Sequence, residues 1–326
     1  MSVFDFAQDQ RAKLPSPDLS LYAGKTYIVT GGNAGLGFQC AKHLFAAGAQ
    51  RIILAVRSLQ NGEAALATIR EETGLHGVGE VWELDLSSFD SVGKFAERVN
   101  TLERLDGLVE NAGMALDRFS LAEGLETSLT VNVLSTFLLA VRAIPILQAS
   151  AQKFGTQTHL TIVSSNTAFM GQGRLDGIEG DVFDVLSTEG TDMADRYPLC
   201  KELQIYAVRQ LAALFPVSNT NVIINTVNPG LCNTGLNHNL SWFERWKMSL
   251  IMALAGRTPE EGSRILLHGL AAGPESHGKF LSACEIKEHA IPTWMQDENT
   301  VHVRERVWGD MAKSLQDRDH NIEIRK

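Results

Sequence analysis

From residue 26 onward, short aliphatic and β-branched runs alternate with longer stretches of helical periodicity. Residues 26–30 (TYIVT), 51–56 (RIILAV), 80–84 (EVWEL), 107–109 (GLV), 159–164 (HLTIVS) and 221–227 (NVIINTV) predict six buried strands, and 279–282 (KFLS) a weaker seventh. Between them, 38–47, 63–72, 91–102, 126–148 and 197–215 carry helical spacing. Near-continuous apolar strands separated by helices predict a parallel sheet covered on both faces. The expectation is a doubly wound, Rossmann-type α/β fold of about seven strands with right-handed crossovers. No Pro/Ser-rich linker or internal repeat divides it. Residues 21–300 read as one domain, preceded by an arm (1–20) and followed by a charged tail (301–326).

Two segments stand outside the alternation. Residues 166–196 are polar and acidic, with Asp176, Glu179, Asp181, Asp184, Glu189, Asp192 and Asp195. Residues 236–256 set Trp242, Trp246, Leu250 and Leu254 at successive i+4 steps, an apolar stripe that packs either into the core or along a substrate.

A glycine-rich turn, Gly31-Gly32-Asn33-Ala34-Gly35-Leu36-Gly37, lies between the first strand and the helix after it. Glycines allow the backbone to turn tightly and approach a pyrophosphate, and the helix N-terminus offers free N–H groups. The position between strand and helix marks a dinucleotide site. Where an NAD-specific domain places an acid to bond the ribose 2′-hydroxyl, this chain has Val56-Arg57-Ser58. A guanidinium beside a hydroxyl suits a 2′-phosphate, so NADP(H) is the expected cofactor. Downstream, Tyr197 and Lys201 in RYPLCKE are four residues apart, on one helical face with Cβ atoms roughly 6 Å apart. A fixed ammonium is expected to lower the phenol's pKa into a usable range.

Composition narrows the partners. A net charge of −9 over 326 residues argues against nucleic acid or an anionic membrane surface. No run approaches the roughly 18–20 apolar residues of a membrane span, and the first twenty residues lack a signal-like apolar stretch. Cys40, Cys200, Cys232 and Cys284 are scattered without CxxC, and no HExxH occurs. Free thiols in a cytoplasmic setting, and no metal site, are expected.

Taken together these motifs resemble the short-chain dehydrogenase/reductase family in its non-extended branch. TGGNAGLG resembles the family's TGxxxGxG turn, and Asp85-Leu86 its adenine-contacting acid. Asn111-Ala112-Gly113 resembles NNAG, with Glu110 replacing the first Asn. Asn132 matches the helix-borne catalytic Asn, and Ser164-Ser165 the serine segment whose second position is the active one. Tyr197 and Lys201 match YxxxK, and Pro229-Gly230 with Thr234 resembles the PGxxxT segment that holds the nicotinamide carboxamide. The match runs from about 24 to 290. ILAVRS, RTPEEGSRILLHGL and GKFLSACEIKE are most similar to retinol-dehydrogenase-like members. The 31 residues between Ser165 and Tyr197 depart from the shortest members and are expected to border the substrate.

The resemblance implies an oxidoreductase interconverting a carbonyl and an alcohol. Tyr197 would exchange the proton and Lys201 would hold the nicotinamide ribose. Ser165 would stabilise the oxyanion, and Asn132 would hold a water that returns protons through Lys201. Trp242, Phe243, Trp246, Met248 and Met252 suggest an apolar small-molecule substrate. Apolar faces on 126–148 and 197–215 suggest a homodimer. The competing readings are an extended-family epimerase or dehydratase and a redox-neutral or regulatory nucleotide binder of the same fold.

Overall fold

The computed structural model describes residues 9–75, 78–234 and 256–319. Strands β1 (Thr26–Thr30), β2 (Arg51–Val56), β3 (Val78–Glu83), β4 (Gly107–Glu110), β5 (Thr158–Val163), β6 (Val222–Asn228), β7 (Phe280–Ser282) and β8 (Glu285–Ile286) form one sheet. Their order is β8-β7-β6-β5-β4-β1-β2-β3, parallel throughout except for the β7–β8 hairpin. The eighth strand escaped sequence detection because two residues carry no periodicity.

The order reverses between β1 and β4, and an open α/β sheet leaves a crevice at the carboxyl ends of such strands. The glycine turn after β1 and the Asn111-Ala112-Gly113 loop after β4 flank it. Helices α1 (Gly35–Ala46), α2 (Leu59–Thr73) and α7 (Pro259–Ala271) cover one face. On the other lie α3 (Phe89–Val99), α4 (Thr136–Phe154) and α6 (Arg196–Leu214). Local chemistry sets the starts. Ser58 and Ser88 accept the Asn61 and Ser91 N–H groups, and Thr258 with Glu261 forms a capping box before Pro259.

The region taken for a charged tail is largely helix α8 (Glu298–Arg318). Its Val307, Trp308, Met311, Ala312 and Leu315 are buried in the same apolar cluster as α4 and α6, so the domain extends past residue 300. The acidic segment 166–196 is not a solvated insertion. Short helix α5 (Val182–Leu186) buries Val182, Phe183 and Leu186, and charged side chains hold the segment, some from within it and some from α8. Asp181 caps α5, Asp195 pairs with Arg174 at 2.7 Å, and Asp310 of α8 accepts the Val182 N–H. Arg306 of α8 donates to the Ile178 and Leu175 carbonyls.

Two further expectations change. The helical run Thr127–Phe154 is long and apolar enough to cross a membrane, but 83% of its apolar window is buried inside the protein, as in a core helix. The faces expected to pair subunits are covered within the chain, because α8 lies over α6 and the two share one core. The stripe from Trp242 to Leu254, with Phe243, Met248 and Met252, lies outside the described residues.

Candidate active site

The glycine turn is built for close approach. Gly31 and Gly35 hold φ of +65° and +55°, where a side chain is strained. A Cβ on Gly37 would lie 2.5 Å from the Gly31 carbonyl and 2.6 Å from Asn111 Nδ2, so the first two motifs can only meet through a bare backbone. Ala34 caps α1 without a side-chain hydrogen bond, which leaves the first N–H groups of the helix for an anion. Thr234 reaches within 3.3 Å of the Cβ position of Gly35, bringing the PGxxxT segment over the turn. A dinucleotide pyrophosphate fits this bed. Asn33 and Leu36 lie in the same turn, at its tip and in the first turn of α1.

Thr30 joins the turn to the Asn111 loop. Its hydroxyl accepts the N–H groups of Asn111 and Ala112, both at 2.9 Å, and Asn111 Nδ2 donates to its carbonyl. Its own proton faces Glu110, 3.5 Å away. Burial pushes the Glu110 carboxyl well above its ordinary value, opposed by the hydrogen bond from Thr30. Gly113 abuts the Asn132 side chain.

At the rim for the adenosine end, Arg57 is exposed just past β2, whereas the Ser58 hydroxyl is committed to capping α2. Asp85 accepts the Ser87 N–H and hydroxyl, which holds its carboxylate in a local turn, and Leu86 is buried beside it.

The catalytic candidates come from three elements. The two serines after β5 separate cleanly: Ser164 is buried and donates to the Lys201 carbonyl, whereas Ser165 accepts the Thr167 N–H at 3.2 Å at the start of a 3₁₀ turn. Tyr197 lies in the first turn of α6, where Pro198 is tolerated. Lys201, one turn on and 5% exposed, donates to the Val163 carbonyl at 2.8 Å and to Gln204 Oε1 at 3.0 Å. Asn132 sits in a π-helical turn, Thr130–Ser135, that precedes α4. Its side chain is taken in both directions by the Met114 main chain, at 2.8 and 2.9 Å. Its carbonyl accepts Gln204 Nε2 at 2.6 Å. The expected water relay from Asn132 to Lys201 therefore meets a side chain instead.

The expected tuning of Tyr197 also changes. Burial, with a smaller push from Cys200, raises the phenol above its ordinary value, and the same burial lowers the Lys201 ammonium to about 8. The Lys201 Nζ stands 5.3 Å from the Tyr197 ring centroid and spends its donors on Val163 and Gln204.

Asn228, which opens the Asn228-Pro229-Gly230 run read in the sequence, holds that segment in place, and several other site-building residues went unread. Asn228 Oδ1 accepts the Asn166 and Gly230 N–H groups, and its Nδ2 donates to Ser282, pinning Pro229-Gly230 to the sheet. Gln10 of the arm both accepts from and donates to the Leu231 main chain, and Arg257 joins the Pro229 carbonyl to the Asp9 carbonyl. Helical spacing from Tyr197 could have flagged Gln204. Contacts between residues 10 and 231 leave no local signal. A cavity of about 350 Å³ lies between the arm and the β7–β8 turn, lined by Asp9, Lys13, Cys284 and Lys287 among others, with none of these motif residues in it.

A doubly wound sheet with a bare glycine turn at its switch point, faced by a buried lysine and a tyrosine on one helix, defines a dinucleotide-binding α/β enzyme site. The family model described as short chain dehydrogenase matches residues 25–175. The short chain dehydrogenase/reductase dmxR8 of Cryptosporiopsis sp. is 41% identical over 302 residues, covering 90% of this chain and 91% of that protein. The short chain dehydrogenase atnD of Emericella nidulans is 38% identical over 285 residues, 85% of this chain and 89% of that one. Among solved structures, a short chain dehydrogenase from Shigella flexneri complexed with NADP superposes with a TM-score of 0.61 at 22% identity, covering 82% of this chain and 100% of that one. The chain belongs to the short-chain dehydrogenase/reductase family, oxidoreductases that use a nicotinamide cofactor on small-molecule substrates.

Proposed function

We propose that the protein is an NADP(H)-dependent oxidoreductase that interconverts a carbonyl and a primary or secondary alcohol on a largely apolar small molecule. The observation that carries this reading is the fixed Lys201, anchored to the end of β5 with Tyr197 one turn away on α6. It is joined through Gln204 to Asn132, which abuts the loop 111–113 packed on the glycine turn. The bound nicotinamide supplies or takes the hydride. Tyr197 gives its proton to the carbonyl oxygen as hydride reaches carbon, and withdraws it in the reverse direction. The Ser165 hydroxyl accepts from Thr167 and donates to Asn166 Oδ1 over 3.5 Å, a long hydrogen bond that it would exchange for one to the substrate oxygen. Lys201 keeps one of three N–H donors for the nicotinamide ribose.

Arg57 takes the 2′-phosphate in this reading, since it is exposed, beside Ser58, whose hydroxyl accepts the Asn61 N–H and keeps its own proton. Fold neighbours solved with NADP and with NADPH support that preference. Met170, 71% exposed four residues beyond the 3₁₀ turn's start, and the likeness to retinol-dehydrogenase-like members support an apolar substrate. Scattered free thiols agree with a cytoplasmic setting.

The test is NADPH consumption against a panel of ketones and aldehydes. Tyr197→Phe should cut turnover roughly 10²-fold or more while retaining NADPH binding. Near-normal turnover in that variant overturns the assignment. Cofactor binding without consumption across the panel favours the redox-neutral or regulatory reading.

A further inference from the structure

Tyr197, Lys201 and Gln204 stand at i, i+4 and i+7 on α6, one face of the helix. Gln204 is 1% exposed and uses both ends of its amide: Oε1 accepts from Lys201 Nζ, and Nε2 donates to the Asn132 carbonyl. The orientation of the amide is forced, because an ammonium only donates and a carbonyl only accepts. We propose that Gln204 is a positioning residue for Lys201, standing in this chain where a water would otherwise link Lys201 to Asn132. This rests on the oxidoreductase reading for its catalytic consequence, but the contact itself does not.

The consequence follows from the chemistry of an amide. A relay needs an atom that accepts one proton and releases another, as a water or hydroxyl oxygen does. In a carboxamide the oxygen accepts and the nitrogen donates, so no proton passes from one to the other at neutral pH. The polar chain Lys201–Gln204–Asn132 also points one way, every donor aimed toward Asn132. Proton resupply to Tyr197 therefore enters from the cofactor and substrate side of the site. Asn132 acts through its hold on the Met114 loop.

The groups facing Lys201 are few. On α6 itself, Tyr197 is half-buried and Cys200 fully buried, and burial pushes the Cys200 thiol up to about 12. From β5 come the Val163 carbonyl and Ser164, and from the π-helical turn Asn132, all uncharged. The Glu126–Arg196 pair acts on Cys200 with opposed signs. Removing or charging Gln204 should thus register directly on Lys201.

The experiment is a pH titration by NMR of the full-length protein carrying [ε-¹³C]lysine, with the Lys201 resonance assigned by its loss in Lys201→Met. It needs no turnover. Gln204→Met keeps the shape and deletes an acceptor, so Lys201 should titrate lower by about half a pH unit or more. Gln204→Glu puts a carboxylate on the ammonium and should raise the titration by about one unit or more. Gln204→Asn, with thermal unfolding measured alongside, separates a lost contact from a lost fold by restoring part of the shift. Where wild type reduces a carbonyl substrate, the limb of the kcat–pH profile moves in the same direction. Lys201 titrating as in wild type in both the Met and Glu variants overturns the proposal. The expected NMR shifts in a protein that reduces no carbonyl would keep Gln204 as the anchor and sink the oxidoreductase reading.

Discussion

Replacing Glu126 by Gln removes one charge from an ion pair in which neither side chain meets solvent. Glu126 is 0% and Arg196 1% exposed, with Nε and Oε2 3.5 Å apart. Their hydrogen bonds are unequal. The carboxylate also accepts the Ser128 and Leu129 N–H groups at 2.9 and 3.1 Å, capping the helix that leads to Asn132. The guanidinium has one hydrogen bond, to the Leu186 carbonyl at 2.9 Å, and its Nε and Nη1 have none. Stripping a buried charge of its counter-ion costs about 3–5 kcal/mol. Glu126→Gln should fall there, because an amide oxygen can still cap the helix but leaves the cation unpaired. Arg196→Met should cost less, about 1–3 kcal/mol, since two N–H donors still solvate the carboxylate left behind. The double variant should lie near Arg196→Met, a coupling of about 2 kcal/mol or more. Urea unfolding with linear extrapolation measures all four species. Additive losses, or a Glu126→Gln variant more stable than Arg196→Met, would refute the reasoning.

Arg57→Ala should weaken NADPH by about 10–100-fold, the worth of charge-assisted hydrogen bonds to a phosphate, and leave NADH nearly unchanged; equal losses in fluorescence titrations of the two would remove Arg57 from the 2′-phosphate. Glu202 offers a pH test. Burial, opposed by Tyr206 and Arg174, raises its carboxyl from 4.5 to about 8. Between those values the folded state holds a proton that the unfolded chain has released, so stability falls as pH rises through that window. Glu202→Gln cannot release that proton and should flatten the slope of unfolding free energy against pH, relative to wild type. An unchanged slope would show that Glu202 is not the group responsible.

The legible part of the site was the part encoded by neighbours in sequence. TGGNAGLG, NAG, SS, YxxxK and PGxxxT each sit within a few residues at the end of a strand or the start of a helix, where backbone geometry alone makes them useful. The parallel sheet was legible for a similar reason: strands buried on both faces are mostly apolar, and 26–30 and 222–228 are buried throughout, their few Thr and Asn side chains included. The acidic segment before Tyr197 was not legible because its main chain is held by charged residues far along the chain, whereas its own Asp195 pairs locally with Arg174. Arg306 reaches Leu175 and Ile178 across more than a hundred residues. Helix α8 read as a tail because its apolar positions are sparse among charges, and only contact with α6 shows that they form a buried stripe.

What the sequence by itself determined is the order of motifs and their chemical type: a glycine turn, an arginine without an acid, a serine, a tyrosine and a lysine in a parallel α/β frame. Such features depend on local backbone geometry and side-chain chemistry, which neighbouring residues set. The tertiary structure decided what those residues face. It pushed the buried Glu110 carboxyl well above its ordinary value, gave the Asn132 side chain to Met114, and raised Tyr197 where a lowering was expected. It also set Gln204 between Lys201 and the Asn132 carbonyl. Protonation and hydrogen-bond choice follow from burial and from which donors and acceptors are within about 3 Å, and both are fixed only when distant elements pack.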